Sequence, residues 1–111
     1  MAQSNSYKFI KYITMQKAIT PVSIWINGKS EDANVFSMVS ISDNLIDTAT
    51  FYYQLIDDDT TEDPPSQMQL AQGNLTLGPS EYQNWDGSNE WIMDWAATQL
   101  NLTFVPGSLL L

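Results

Sequence analysis

The chain has 111 residues, a formal net charge of −9, and neither cysteine nor histidine. Those absences remove disulfide scaffolds, thiolate nucleophiles, histidine-based triads and the usual zinc and copper sites. With 43% hydrophobic and 12% aromatic residues the composition is that of one globular domain, while no stretch approaches the roughly 20 apolar residues of a membrane span.

Charge is segregated along the chain. Lys8, Lys11, Lys17 and Lys29 are its only basic residues, and all 13 acids lie from Glu31 onward. Binding a phosphate backbone needs clustered Lys or Arg, so no direct nucleic-acid partner is expected. A basic beginning and an acidic remainder instead suit head-to-tail contact between copies. The first residues contain no apolar run long enough for a signal peptide, so synthesis in the cytoplasm is expected.

In chain order, residues 7–15 (YKFIKYITM) read as a strand with aromatics on both faces. Val22, Ile24 and Ile26 then alternate with Ser23, Trp25 and Asn27, and Asn27-Gly28 supplies the positive-φ pair of a hairpin turn, with polar residues 29–34 lengthening the loop. Residues 34–42 alternate again, rich in β-branched side chains, until Asp43-Asn44 breaks the strand. Residues 50–56 (TFYYQLI) are a further strand with substance on both faces. Residues 57–66 (DDDTTEDPPS) predict an exposed acidic loop.

From residue 67 to 77 the alternation returns, and Gly73 within it predicts a bulge. Gly78-Pro79 ends that strand. Ser80 and Gln83 have capping-box spacing and predict a short helical turn. From Ser88 the period becomes helical, with Ile92, Trp95, Ala96 and Gln99 sharing a face and Trp91 and Trp95 one turn apart. Residues 102–105 read as a short closing strand. The fold class expected is mainly β: an antiparallel β-sandwich or open barrel with one C-terminal amphipathic helix, a single domain over residues 1–111. Residues 1–12 and 105–111 are expected to be docking arms.

No constellation selects a reaction. Asp57, Asp58, Asp59, Glu62 and Asp63 lack the glycine and closing glutamate of an EF-hand loop and read as a solvated acidic run. Asp86, Glu90 and Asp94, four apart, read as a like-charged stripe on the helix, with no partner to tune a carboxyl for acid–base work. No cofactor and no metal are expected. Binding is the better fit to the residues that stand out: Trp25 and Trp85 as surface aromatics, and Tyr7, Lys8, Phe9, Lys11, Leu109, Leu110 and Leu111 on the two arms.

In character the whole chain resembles the small accessory structural proteins of tailed-bacteriophage particles, those of the neck, tail, baseplate or head surface. Residues 73–105 (GNLTLGPSEYQNWDGSNEWIMDWAATQLNLTFV) carry most of that resemblance. It implies a non-enzymatic virion component present in several copies, a homo-oligomer that binds other protein subunits by strand addition and apolar patches. Two other readings stay open. One is a carbohydrate-binding, host-receptor module that uses Trp25, Trp85 and Tyr82 as stacking platforms; the other is an acidic phage-encoded inhibitor that mimics nucleic acid.

Overall fold

The computed structural model describes residues 14–59 and 66–107. They form β1 (Thr14–Ile26), β2 (Lys29–Asp43), β3 (Ala49–Asp59), β4 (Ser66–Leu77), α1 (Pro79–Asn84) and α2 (Asn89–Leu100). The strands make one antiparallel sheet in the order β1-β2-β3-β4, a meander followed by the two short helices. The mainly β class matches the sequence reading. The sandwich or open barrel does not: among the described residues the sheet is open and faces no second sheet, and two helices stand where one was expected.

The physical reason lies in how β3 and β4 divide their side chains. Phe51 and Leu55 are buried and Tyr53 packs against them, all on the core face. The intervening Tyr52 and Gln54 point the other way and are satisfied across the sheet, Tyr52 by Gln72 and Gln54 by Gln69. The Thr50 and Thr76 hydroxyls meet at 3.2 Å on that same face. On this part of β3 and β4 the outer face is occupied by laterally paired polar groups instead of the apolar rows that a sandwich interface buries, while the apolar Val35 and Ile56 of the same face lie beyond it, paired with each other.

At the other side of the sheet, Asn27 (φ 53°) and Gly28 (φ 80°) make the two-residue turn, and pairing begins at once with Ile26 opposite Lys29. The polar residues after the turn therefore belong to β2 and not to a longer loop. Between the pairs Ala18–Val35 and Val22–Ala33 the register shifts, so that Ile19, Thr20 and Pro21 stand against Asn34 alone. Proline has no N–H to lose from the ladder and is tolerated at such a bulge. Across it the core positions move from odd numbers, Met15 and Ile19, to even ones, Val22, Ile24 and Ile26, which keeps the apolar side of the strand on the core.

The bulge predicted at Gly73 falls at Leu70 instead, between the pairs Leu55–Ala71 and Ile56–Gln69. Gly73 is in register opposite Tyr53, and a Cβ there would meet the Tyr53 hydroxyl at 2.7 Å. The glycine is required by the ring lying across it. Asp57, Asp58 and Asp59, expected in a loop, continue β3 by pairing with Met68, Gln67 and Ser66. The rest of that loop, like most of the strand predicted over 7–15, lies outside the described residues.

The helices cover one face. Gly78 caps α1 and Glu81 Oε1 accepts its N–H at 3.1 Å, two residues before the box predicted at Ser80. Ser88 caps α2 as expected, its Oγ accepting the Trp91 N–H at 3.1 Å. The buried face of α2 is Ile92, Met93, Ala96 and Ala97; Trp95 sits half-buried at its rim and Gln99 is exposed. Small Ala96 and Ala97 let the helix lie close on the sheet. Asn101 then adopts a left-handed conformation (φ 58°) and turns the chain back. Instead of a full closing strand, Phe104 makes one antiparallel bridge with Ile19, flanked by Thr20 N–H to Thr103 O at 2.8 Å and Val105 N–H to Ala18 O at 3.1 Å.

Candidate docking surface

Between β2 and β3 the sequence Asp43-Asn44-Leu45-Ile46-Asp47-Thr48 places two aliphatic residues inside a run of turn formers. Asn and Asp side chains bond the backbone two or more residues on and so fix such turns. Here the Asn44 Oδ1 accepts the N–H groups of Ile46 at 2.9 Å, Asp47 at 2.9 Å and Thr48 at 3.0 Å. Asn44 Nδ2 donates to Asp47 Oδ1 at 2.9 Å, and Asp43 Oδ1 accepts the Leu45 N–H at 2.8 Å. The Asn44 N–H closes the loop onto Thr48 O at 3.0 Å.

With the backbone so fixed, the two aliphatic side chains have nowhere to turn but outward. Leu45 is 82% and Ile46 78% exposed. Leu45 also sits at φ 62°, a left-handed conformation that costs a side-chain-bearing residue roughly 1 kcal/mol or more. Ile41, the unpaired residue between Ser40 and Ser42 at the same end of β2, is exposed as well.

The loop is tied to the helical layer through Asp43, which also accepts the Tyr82 hydroxyl at 2.8 Å. That bond to Asp43, then burial, then the charges of Asp43 and Asp47, hold the Tyr82 phenol above its ordinary pKa. Tyr82 in turn meets Trp85 edge to face, with centroids 5.7 Å apart, and Trp85 meets Phe51 in the same way at 5.9 Å. The Trp85 Nε1 donates to Ser88 O at 3.0 Å. Trp85, expected at the surface, is thus half-buried with both its ring and its polar edge engaged; Phe51 draws it inward. Asp86 accepts the Ser88 N–H at 2.8 Å, and its carboxyl is held below the ordinary range first by the Ser88 hydroxyl and then by that N–H.

Of the other residues singled out in the sequence, Trp25 is 74% exposed on the β1–β2 hairpin, on the strand side away from Ile24 and Ile26. Trp25, Trp85 and Tyr82 therefore do not form one coplanar platform: two are packed edge to face with each other and the third stands apart. Tyr7, Lys8, Phe9, Lys11, Leu109, Leu110 and Leu111 lie outside the described residues, as do both arms save residues 105–107, of which Val105 is 38% exposed. Asp86 precedes α2 and Glu90 is paired with Lys17, so the three acids do not make the uniform stripe expected of them.

The segregated charges meet inside the chain. Lys17 Nζ lies 3.2 Å from Glu90 Oε2 and 4.6 Å over the Phe104 ring, joining β1, α2 and the returning segment. Lys29 pairs with Glu31 at 3.9 Å. Among the described residues no three Asp or Glu side chains converge as a metal ion would require, and no helix is long and apolar enough to cross a membrane. Sequence reasoning passed over Leu45 and Ile46, although the flanking Asp-Asn and Asp-Thr were a legible sign of a pinned turn. No family model, no curated protein and no solved structure matches this chain.

Proposed function

We propose that this chain is a non-enzymatic assembly protein that binds neighbouring protein subunits, as a multi-copy component of a tailed-phage particle. The observation that carries the binding role is the β2–β3 loop. A network of side-chain and main-chain hydrogen bonds holds Leu45 in a strained conformation and leaves Leu45 and Ile46 almost fully exposed. Exposed aliphatic side chains on a rigid backbone lose little conformational freedom when they dock, which is how small contacts gain affinity. Asp43 and Asp47 flank them, so the surface they enter is apolar with donor or basic groups at its edge. The virion setting is supported by the resemblance of the whole chain, residues 73–105 above all, to accessory phage structural proteins.

Native mass spectrometry of the purified chain over a concentration series, with Ile46→Ser alongside, tests the reading. A symmetric oligomer that Ile46→Ser dissociates without lowering the thermal transition supports it. A monomer at every concentration that binds a defined glycan saturably overturns it in favour of a host-receptor module.

A further inference from the structure

On the outer side of α2 a shallow depression of about 390 Å³ is lined by Trp91, Asp94, Trp95 and Thr98. Its charged and hydroxyl groups are Asp94 and Thr98. The Asp94 carboxylate is an acceptor alone. The Thr98 hydroxyl donates its proton to Asp94 O at 3.0 Å, which leaves its lone pairs outward. The Trp95 Nε1 is buried and without a partner among the described residues, so it is not offered to a ligand. Two indole rings and an accessible set of acceptors are the groups that hold an ammonium or guanidinium, through the ring quadrupole and charge-assisted hydrogen bonds.

One turn earlier the same helix already does this inside the chain. Lys17 is held between the Glu90 carboxylate and the Phe104 ring, with its side chain only 12% exposed. Asp94 with Trp91 and Trp95 repeats that pairing of acid and aromatic. Lys17 and Lys29 are engaged elsewhere, with Glu90 and Glu31, and Lys8 and Lys11 lie outside the described residues. We propose that the Trp91–Asp94–Trp95–Thr98 depression is a binding site for a lysine or arginine side chain of a partner protein. The site is separate from the Leu45–Ile46 loop and does not depend on it.

The test is a titration of the full ¹⁵N-labelled chain with acetyl-Gly-Arg-Gly-amide and with acetyl-Gly-Gln-Gly-amide, following the tryptophan indole signals assigned through single Trp→Phe variants. The arginine peptide is expected to move the Trp91 and Trp95 signals saturably while Trp25 stays still, weakly because one side chain supplies the contact. Asp94 is exposed, so Asp94→Asn should keep the thermal transition and bind about tenfold more weakly, and added salt should weaken the wild type in the same direction. Absence of a saturable shift, an equal response to the glutamine peptide, or undiminished binding by Asp94→Asn overturns the proposal. Ile46→Ser, which tests the loop, should leave this titration unchanged; if it abolishes it, the two surfaces are not separate and the proposal fails.

Discussion

The Asn34 side chain pairs with the backbone of Asp58 as a strand residue would, its Nδ2 donating to Asp58 O at 3.1 Å and its Oδ1 accepting the Asp58 N–H at 2.8 Å. The β2–β3 ladder proper stops at Val35–Ile56. A side-chain amide thus extends the sheet at the point where Asn34 faces the three-residue bulge of β1. Replacing Asn34 with Ala should destabilise by roughly 1–3 kcal/mol, since both backbone groups of a half-buried residue lose their partner. Asn34→Asp should cost more, because it lacks the donor and sets a charge beside Asp58 O. Urea denaturation of both variants measures the order.

Leu45→Gly should hold or raise stability, by about 1 kcal/mol at most, because glycine removes the left-handed strain while loosening the unfolded chain. The same substitution should weaken subunit contact. A lowered thermal midpoint with contact retained would show that Leu45 packs within its own chain.

Gly73→Ala should destabilise by about 1–3 kcal/mol, as the added methyl displaces a Tyr53 ring that is also held against Phe36 with centroids 6.1 Å apart. In a Tyr53→Ala background the same change should cost far less. A double-mutant cycle by thermal denaturation reads that coupling.

The stability–pH profile should have two locally removable edges. Tyr82 carries a raised pKa, so its contribution is whole below about pH 10, the ordinary tyrosine value, and is lost as pH rises through the folded value. Asp86 carries a lowered one, so its contribution is present above the ordinary carboxyl range and is lost as pH falls through the folded value. Tyr82→Phe should flatten the alkaline edge and Asp86→Asn part of the acid edge. Thermal midpoints across pH for the three proteins check both signs.

Ile92→Ala, at a position with no exposure, should cost roughly 2–5 kcal/mol, whereas Trp25→Ala should fall within about 0.5 kcal/mol of the wild type. Equal costs would mean that the exposed tryptophan packs on its own chain.

Much of the fold was legible where local chemistry decides the outcome. The Asn27-Gly28 turn, the inward run Val22, Ile24 and Ile26, and the Ser88 cap all came from residues acting over a few positions. The errors arose where a partner distant in sequence decides. Gly73 looks like a bulge until Tyr53 is known to lie across it; Tyr52 and Gln54 look half-apolar until Gln72 and Gln69 are seen opposite. Trp85 looked exposed in its turn until Phe51 and Tyr82 were placed beside it. For the docking surface, aromatic rings drew attention away from Leu45 and Ile46, whose exposure follows from turn chemistry and not from hydropathy.

The bridge between Ile19 and Phe104 has a consequence for biosynthesis. Among the described residues strands β1 to β4 pair only with sequence neighbours, so the meander can form progressively as the chain leaves the ribosome. The outer edge of β1 near Ile19 must wait for Phe104. Among the described residues nothing else pairs with that edge at Ile19, and the core under α2 stays wet until the helix arrives and the returning segment clasps it. A nascent chain stalled before residue 104 lacks the bridge at Ile19 and the two hydrogen bonds beside it, and a β edge that has lost its partner is prone to pair with a neighbouring nascent copy on the same message.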